Sequence, residues 1–317
     1  MKRRLIGVLL ILQLLAACGV QSPQVSGGSW AYTFTDSTGT AVTLTQKPQK
    51  VAVLFSSYAE IWTLAGGSVA VTVGESVERG FAPENALLVD AGAGKTVDLE
   101  LLLAAKPDLV IGSADIAAQT AACRTVAQAG IPAALFRVDT FEEYLSMLKI
   151  CTDITGDAQA YTTNGTAVAE QVEKILSAAQ DGNTEPKRIL FIRAGSQYSA
   201  TKAKRAPENF VCIMLDELGA YNIADDARVL LDGLSLEEIL LQDPDYIFLT
   251  TMGSEAAAVS YIQELFRQAG WKDLRAVRNG SYTFLQKELF HFKPNGRWAE
   301  AYGILAEHLY PELEFDE

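Results

Sequence analysis

Histidine is nearly missing from this chain: two residues in 317, His291 and His308. A site for bare zinc or manganese draws on several imidazole and carboxylate ligands, so this supply excludes that class. Cysteine is scarce as well. None of Cys18, Cys123, Cys151 and Cys212 stands in CxxC spacing, which argues against a zinc site. Cys123 and Cys151 admit a disulfide in an oxidising exterior. Three buried free thiols are an equal alternative, and Cys212 has no evident partner in its own half. Charged residues form only 21% of the chain against 49% apolar, which excludes disorder and supplies a core. There is no G-x-S-x-G elbow, HExxH helix, phosphate-binding loop or dinucleotide fingerprint. The nearest approach, GAGKT at 92–96, lacks the first glycine at the required spacing and reads as a loop.

The net charge is −13, and such an acidic surface disfavours nucleic acid and anionic lipid as partners. Three of the basic side chains, Lys2, Arg3 and Arg4, precede the apolar run LIGVLLILQLLAA (5–17). That run is too short for a bilayer span and has the form of a secretory leader. It ends in Leu15-Ala16-Ala17-Cys18, which resembles a bacterial lipobox. The resemblance implies removal of residues 1–17 and a diacylglyceryl group on Cys18. Residues 18–29, rich in Gly, Ser, Pro and Gln, form a flexible tether. The mature protein is therefore expected to be extracytoplasmic, lipid-anchored at the outer face of a cell membrane, in an envelope of single-membrane type.

From Trp30 the pattern is a β-hairpin and then alternating strands and helices, the signature of parallel α/β sheets. The stretch VDLELLLAAKPDLVIGS (97–113) returns as LSLEEILLQDPDYIFLT (234–250). The same offset aligns Lys50 with Lys187, each opening an apolar strand. Whole lobes recur, so the expected fold is α/β: two Rossmann-like lobes with parallel sheets, joined by a single long α-helix. The boundaries are 30–156 for the first lobe with its leading hairpin, 157–182 for the joining helix and 183–317 for the second lobe. Asn164-Gly165 is the weak point of that helix and a place for a kink.

Asp98 and Ser235 occupy helix N-cap positions, and Ser235 to Glu238 fits a capping box. Glu100 and Glu237 then fall in the first turns of two short helices. At one helix this means dipole stabilisation of about 0.3–1 kcal/mol. Matched in both lobes, the pair suits two arginines of a two-fold symmetric partner, since guanidinium and carboxylate bind bidentately.

The lipobox, the duplicated LE-x₆-PD units (99–108 and 236–245), the joining helix and ELGAYNIADD (217–226) together resemble substrate-binding lipoproteins of ABC importers. The subgroup is the one that binds iron–siderophore complexes, haem and cobalamin, and the likeness covers roughly Val51 to Pro311. It implies that Glu100 and Glu237 dock on a dimeric permease with its ATPase, that the receptor is a monomer, and that the ligand sits in a cleft between lobes that close little. No cofactor is required; the ligand itself is a metal complex, ferric siderophore first, cobalamin or haem next.

Ligand contacts are expected from loops after strand ends. In the first lobe these hold Ser56, Ser57, Tyr58, Arg79, Phe81 and Ser113 to Asp115. In the second they hold Arg193 to Tyr198, Thr251, Met252 and the run 288–298 with Phe290, His291, Phe292, Lys293, Arg297 and Trp298. Arginine and lysine supply positive charge, and the aromatics supply flat apolar surface. His291 is a candidate axial ligand to haem iron or cobalt, with Met252 as a second soft donor. Trp298 leans towards packing, His308 towards a structural role, and the Lys202, Lys204, Arg205 cluster towards solvated surface. A lipid-anchored α/β enzyme using the same cleft is the alternative. A sugar- or peptide-binding lipoprotein fits less well, since such proteins join their lobes by two or three extended crossovers.

Overall fold

A computed structural model describes residues 30–90, 96–182, 185–227, 230 and 234–313. Cys18, the leader, the tether and most of the GAGKT loop lie outside the described residues. The chain divides into two compact units. One runs to Arg137 and regains Ile150–Ala158; the other comprises Val138–Lys149 and everything from Gln159. Residues 138–149, expected within the first lobe, thus pack with the second unit.

In the first unit, β1 (Tyr32–Thr35) and β2 (Ala41–Leu44) form the antiparallel hairpin, whose turn is held by the Asp36 carboxylate accepting from Thr38 and Thr40. A separate parallel sheet has the order β5-β4-β3-β6-β7, built from β3 (Val51–Val53), β4 (Val69–Thr72), β5 (Leu87–Leu88), β6 (Leu109–Ser113) and β7 (Ala133–Phe136). The apolar runs of β3 and β6 are buried throughout, as parallel strands covered on both faces require. At Gly112 a Cβ would stand 2.9 Å from Cys123 Sγ, so only glycine lets the helix Ala117–Gln128 lie this close to β6.

The second unit repeats the plan with β8 (Arg188–Ala194), β9 (Lys202–Ala203), β10 (Tyr221–Asn222), β11 (Tyr246–Thr251) and β12 (Tyr282–Phe284). The order is β10-β8-β11-β12, all parallel, and β9 adds antiparallel to β8. The core gathers Leu190, Ile192, Ile247, Leu249, Ile262 and Phe266 among others.

The repeated Pro-Asp has a structural cause. The helices Leu99–Ala105 and Leu236–Gln242 both end on a left-handed residue, Lys106 and Asp243. The chain then turns through the proline, and the following aspartate ties its strand to the neighbouring one. Asp108 accepts from the amides of Gln49 and Lys50, both at 2.8 Å, and Asp245 accepts from the Arg188 amide at 2.9 Å.

The expected joining helix is composite. Its parts are a turn at Ala158–Tyr161, a π-helical stretch at Thr162–Thr166 and a regular helix at Ala167–Gly182. The π turn coincides with Asn164-Gly165, where the Asn164 carbonyl accepts from the Tyr144 hydroxyl at 2.8 Å.

Candidate functional site

Strands β8 and β11 run side by side and end at Ala194 and Thr251. A cavity of about 210 Å³ opens there within the second unit, lined by Asp139, Arg193, Glu208, Asn209, Phe210, Thr250, Phe290, His291 and Lys293. Its position obeys the general rule that open α/β sheets bind ligands beyond the carboxyl ends of their strands. Four of the expected contacts, Arg193, Phe290, His291 and Lys293, meet on this one wall.

Each is placed by local structure. Arg193 is half-buried on β8, in register with Thr250 of β11. Phe290 is buried at the end of the short helix Lys287–Phe290, and His291 caps that helix with its ring edge-on to Phe292. Lys293 Nζ donates to Asp139 Oδ1 at 2.7 Å and stands 4.6 Å from the Phe210 ring centroid. Phe210 opens the helix Phe210–Glu217, whose N-cap Asn209 accepts from the Val211 amide at 2.9 Å. Phe210 rests in turn on Trp298, edge to face at 5.9 Å.

Other expected contacts are placed elsewhere. Met252 is half-buried but is not a cavity residue; its amide donates to Ala194 O at 2.8 Å. Tyr198 is exposed on a 3-10 turn. Arg297 closes a bidentate pair with Glu300, both bonds at 2.6 Å, and lies outside the cavity lining. Trp298 is fully buried, as its packing role requires. Lys204 and Arg205 both pair with Glu208, at 3.8 and 3.5 Å. His308 bonds Tyr246 at 3.0 Å, and burial lowers its pKa, which marks it as structural.

Within the first unit, Ser56 to Tyr58 form the first turn of the helix Ser56–Leu64 rather than a loop. Tyr58 is a correction: it is buried, with its hydroxyl donating to Phe136 O at 3.0 Å, so it belongs to the core. Ser57 is also buried and offers no open surface. Ser56 donates to Glu75 and accepts from Arg79 at 3.1 Å. Arg79 also lies 4.0 Å from Glu60 and 4.6 Å from the Phe81 ring centroid, so its charge is matched locally. Asp115 pairs with Arg137 at 2.8 Å.

The profile of the periplasmic binding protein family matches residues 51–289, most of the chain. The chain belongs to that family. A cobalamin-binding protein of Halobacterium salinarum is 25% identical over 255 residues, covering 77% of this chain and 67% of its own. Two solved structures share the fold. The siderophore-binding protein BauB, bound to two acinetobactin molecules and ferric iron, superposes with TM-score 0.69 at 13% identity, covering 90% of this chain and all of its own. The haem-binding protein RhuT of Roseiflexus gives 0.61 at 20% identity, covering 83% and 98%.

In this periplasmic binding protein Glu100 and Glu237 are both exposed on the first turns of matching seven-residue helices. The Asp98 side chain caps the first helix, accepting from the Leu101 amide at 3.0 Å. The capping box expected at Ser235 does not form: its side chain makes no cap bond, and Glu238 accepts instead from Gln242 at 2.9 Å. Cys123, Cys151 and Cys212 are free and buried, so the Cys123–Cys151 bridge is absent. Burial raises all three thiol pKa values, Cys123 to about 12, which leaves them unreactive. Asp139, Glu208, Asn209, Phe210 and Thr250 were not among the expected site residues. Asn209 carried a usable signal, since asparagine before an apolar helical run is an N-cap and places the helix start at a site. Asp139 carried none, because only tertiary packing sets it beside Lys293.

Proposed function

We propose that this binding protein is the extracytoplasmic receptor of an ABC importer for a metal chelate, a ferric siderophore first, cobalamin or haem next. The observation that carries the reading is the cavity wall of the second unit, where Arg193, Lys293 and His291 stand with Phe210 and Phe290 at the carboxyl ends of a parallel sheet. Positive heads and flat apolar rings suit the anionic and aromatic parts of such complexes. The relatives' names support the same range: cobalamin, ferric acinetobactin and haem. At about 210 Å³ the cavity is smaller than the ~300–1,000 Å³ of pockets that enclose a whole ligand, so it takes one part of the chelate. His291 offers an imidazole at that wall as an axial donor for haem or cobalamin. The chelate is cargo, not a cofactor, and it leaves unchanged.

Delivery follows from Glu100 and Glu237, which dock on arginines of a dimeric permease, each aided by an exposed leucine of its helix, Leu101 and Leu241. The lipid on Cys18 holds the monomeric receptor beside that permease. Trp298, in contact with Phe210, is the reporter for a binding test. A ferric siderophore, cyanocobalamin and haemin are titrated separately while tryptophan emission and the visible spectrum are followed. One of the three is expected to quench emission saturably and to be recovered intact. Absence of saturable binding by all three, or recovery of an altered ligand, overturns the receptor reading.

A further inference from the structure

The cations around this cavity are almost all matched. Lys293 has Asp139 at 2.7 Å, and the wall residue Glu208 holds both Lys204 and Arg205. Arg193 differs. Among the described residues, no carboxylate or side-chain acceptor bonds its guanidinium, although the residue is half-buried in the wall. Partial burial costs it hydration with nothing regained from the protein.

Strand register supplies a second observation. On the antiparallel ribbon of β8 and β9, Lys202 stands directly opposite Arg193. Directly opposed residues project from the same face with Cβ atoms about 4.5–5.5 Å apart, and like charges there destabilise the pair. On the other side of Arg193, Thr250 is its register partner on β11. Lys202, Arg193 and Thr250 therefore form one row across three strands, two cations and a hydroxyl, with no acid assigned to it. Elsewhere on the wall the acids are already engaged, Asp139 by Lys293 and the single carboxylate of Glu208 by both Lys204 and Arg205.

We infer that the chelate carries one compact anionic group, a carboxylate or phosphate, on an otherwise uncharged body, and that Arg193 and Lys202 hold this group with Thr250 as hydroxyl donor. The inference rests on the receptor reading above. An anion between the two cations turns their repulsion into attraction. The further charges of a polyanionic complex would meet only cations already engaged by Asp139 and Glu208.

Four probes test it: a neutral cyclic ferric trihydroxamate, the same scaffold with one pendant carboxylate, the same scaffold with one pendant phosphodiester, and a trianionic ferric tricatecholate. Each is titrated into the wild type, Arg193→Gln and Lys202→Gln, with thermal unfolding as the check on folding. A singly anionic probe, carboxylate or phosphodiester, is expected to bind best, by roughly tenfold or more over the neutral and trianionic chelates, the worth of one charge-assisted contact. Either variant is expected to erase that preference, weakening the singly anionic probes roughly tenfold and the neutral chelate by less, and added salt to weaken only the charged probes. Should Arg193→Gln misfold, Lys202→Gln decides, since Lys202 is exposed. Tightest binding of the tricatecholate, or equal losses for neutral and charged probes, overturns this inference alone. Failure of every probe, and of cyanocobalamin and haemin, to bind overturns the receptor reading and this inference with it.

Discussion

Glu217 is a carboxyl group whose surroundings oppose its charge. It sits at the C-terminal end of the helix Phe210–Glu217, where the helix dipole disfavours an anion, and it accepts from the Tyr302 hydroxyl. Burial raises its pKa, the Tyr302 bond opposes that rise, and Glu142 and Asp216 add to it. The folded state therefore keeps this proton to higher pH than the unfolded chain does. Its contribution to stability is complete below the ordinary carboxylate pKa and is lost as pH rises through the folded value. Glu217→Gln removes the titration while its carbonyl still accepts from Tyr302. Urea unfolding of both proteins at several pH values is expected to show the variant gaining on the wild type as pH rises. A constant difference would contradict the assignment. Such residue-scale roles are the least legible in sequence. Tyr58 and Arg193 both lie at or near strand ends with polar tips, yet one tip meets Phe136 O and the other lines the cavity. What separates them is the neighbouring strand, which the local pattern does not carry.

At the scale of elements the sequence was far more informative, because periodicity and capping are local. The alternation that placed β3, β6, β8 and β11, and the repeated Pro-Asp after two short helices, follow from rules acting within a few residues. The π turn at Thr162–Thr166 was foreshadowed only as a weak point, since Gly165 is selected by tertiary crowding: a Cβ there would meet Tyr161 at 3.1 Å and Leu148 at 3.3 Å. The failed capping box at Ser235 shows the limit from the other side, a correct pattern with its glutamate taken by Gln242. The Pro-Asp unit invites a stability test. Asp108 is a charged acceptor for two backbone amides, so Asp108→Ala is expected to cost about 2 kcal/mol in urea unfolding, within the ~1.5–3 kcal/mol range for such bonds. Asp108→Asn keeps one acceptor and is expected to recover part of the loss. An Ala variant as stable as the wild type would assign the repeat to something other than strand anchoring.

For the molecule as a whole, the duplication presents the same exposed acid on the same element in each unit, and stability gives little reason to keep both. Asp98 already caps its helix through the Leu101 amide, so Glu100 adds at most the ~0.3–1 kcal/mol of a dipole contact. Glu237 stands beside Glu238, which shares its helix turn. The proposed docking offers another reason. Docking on a dimeric permease through two Arg–carboxylate contacts predicts that Glu100→Lys or Glu237→Lys lowers uptake of the chelate steeply, since each reversal replaces an attraction with a repulsion. Neither residue lies in the cavity lining, so chelate affinity of the purified variants is expected to match the wild type within about twofold, as for a surface substitution far from the ligand. Thermal unfolding should likewise be almost unchanged, since surface substitutions fall within about 0.5 kcal/mol. The double variant is expected to transport no better than the worse single one. Uptake at wild-type levels with both charges reversed would remove these glutamates from the docking surface, and a collapse of chelate affinity would instead move them into the binding site.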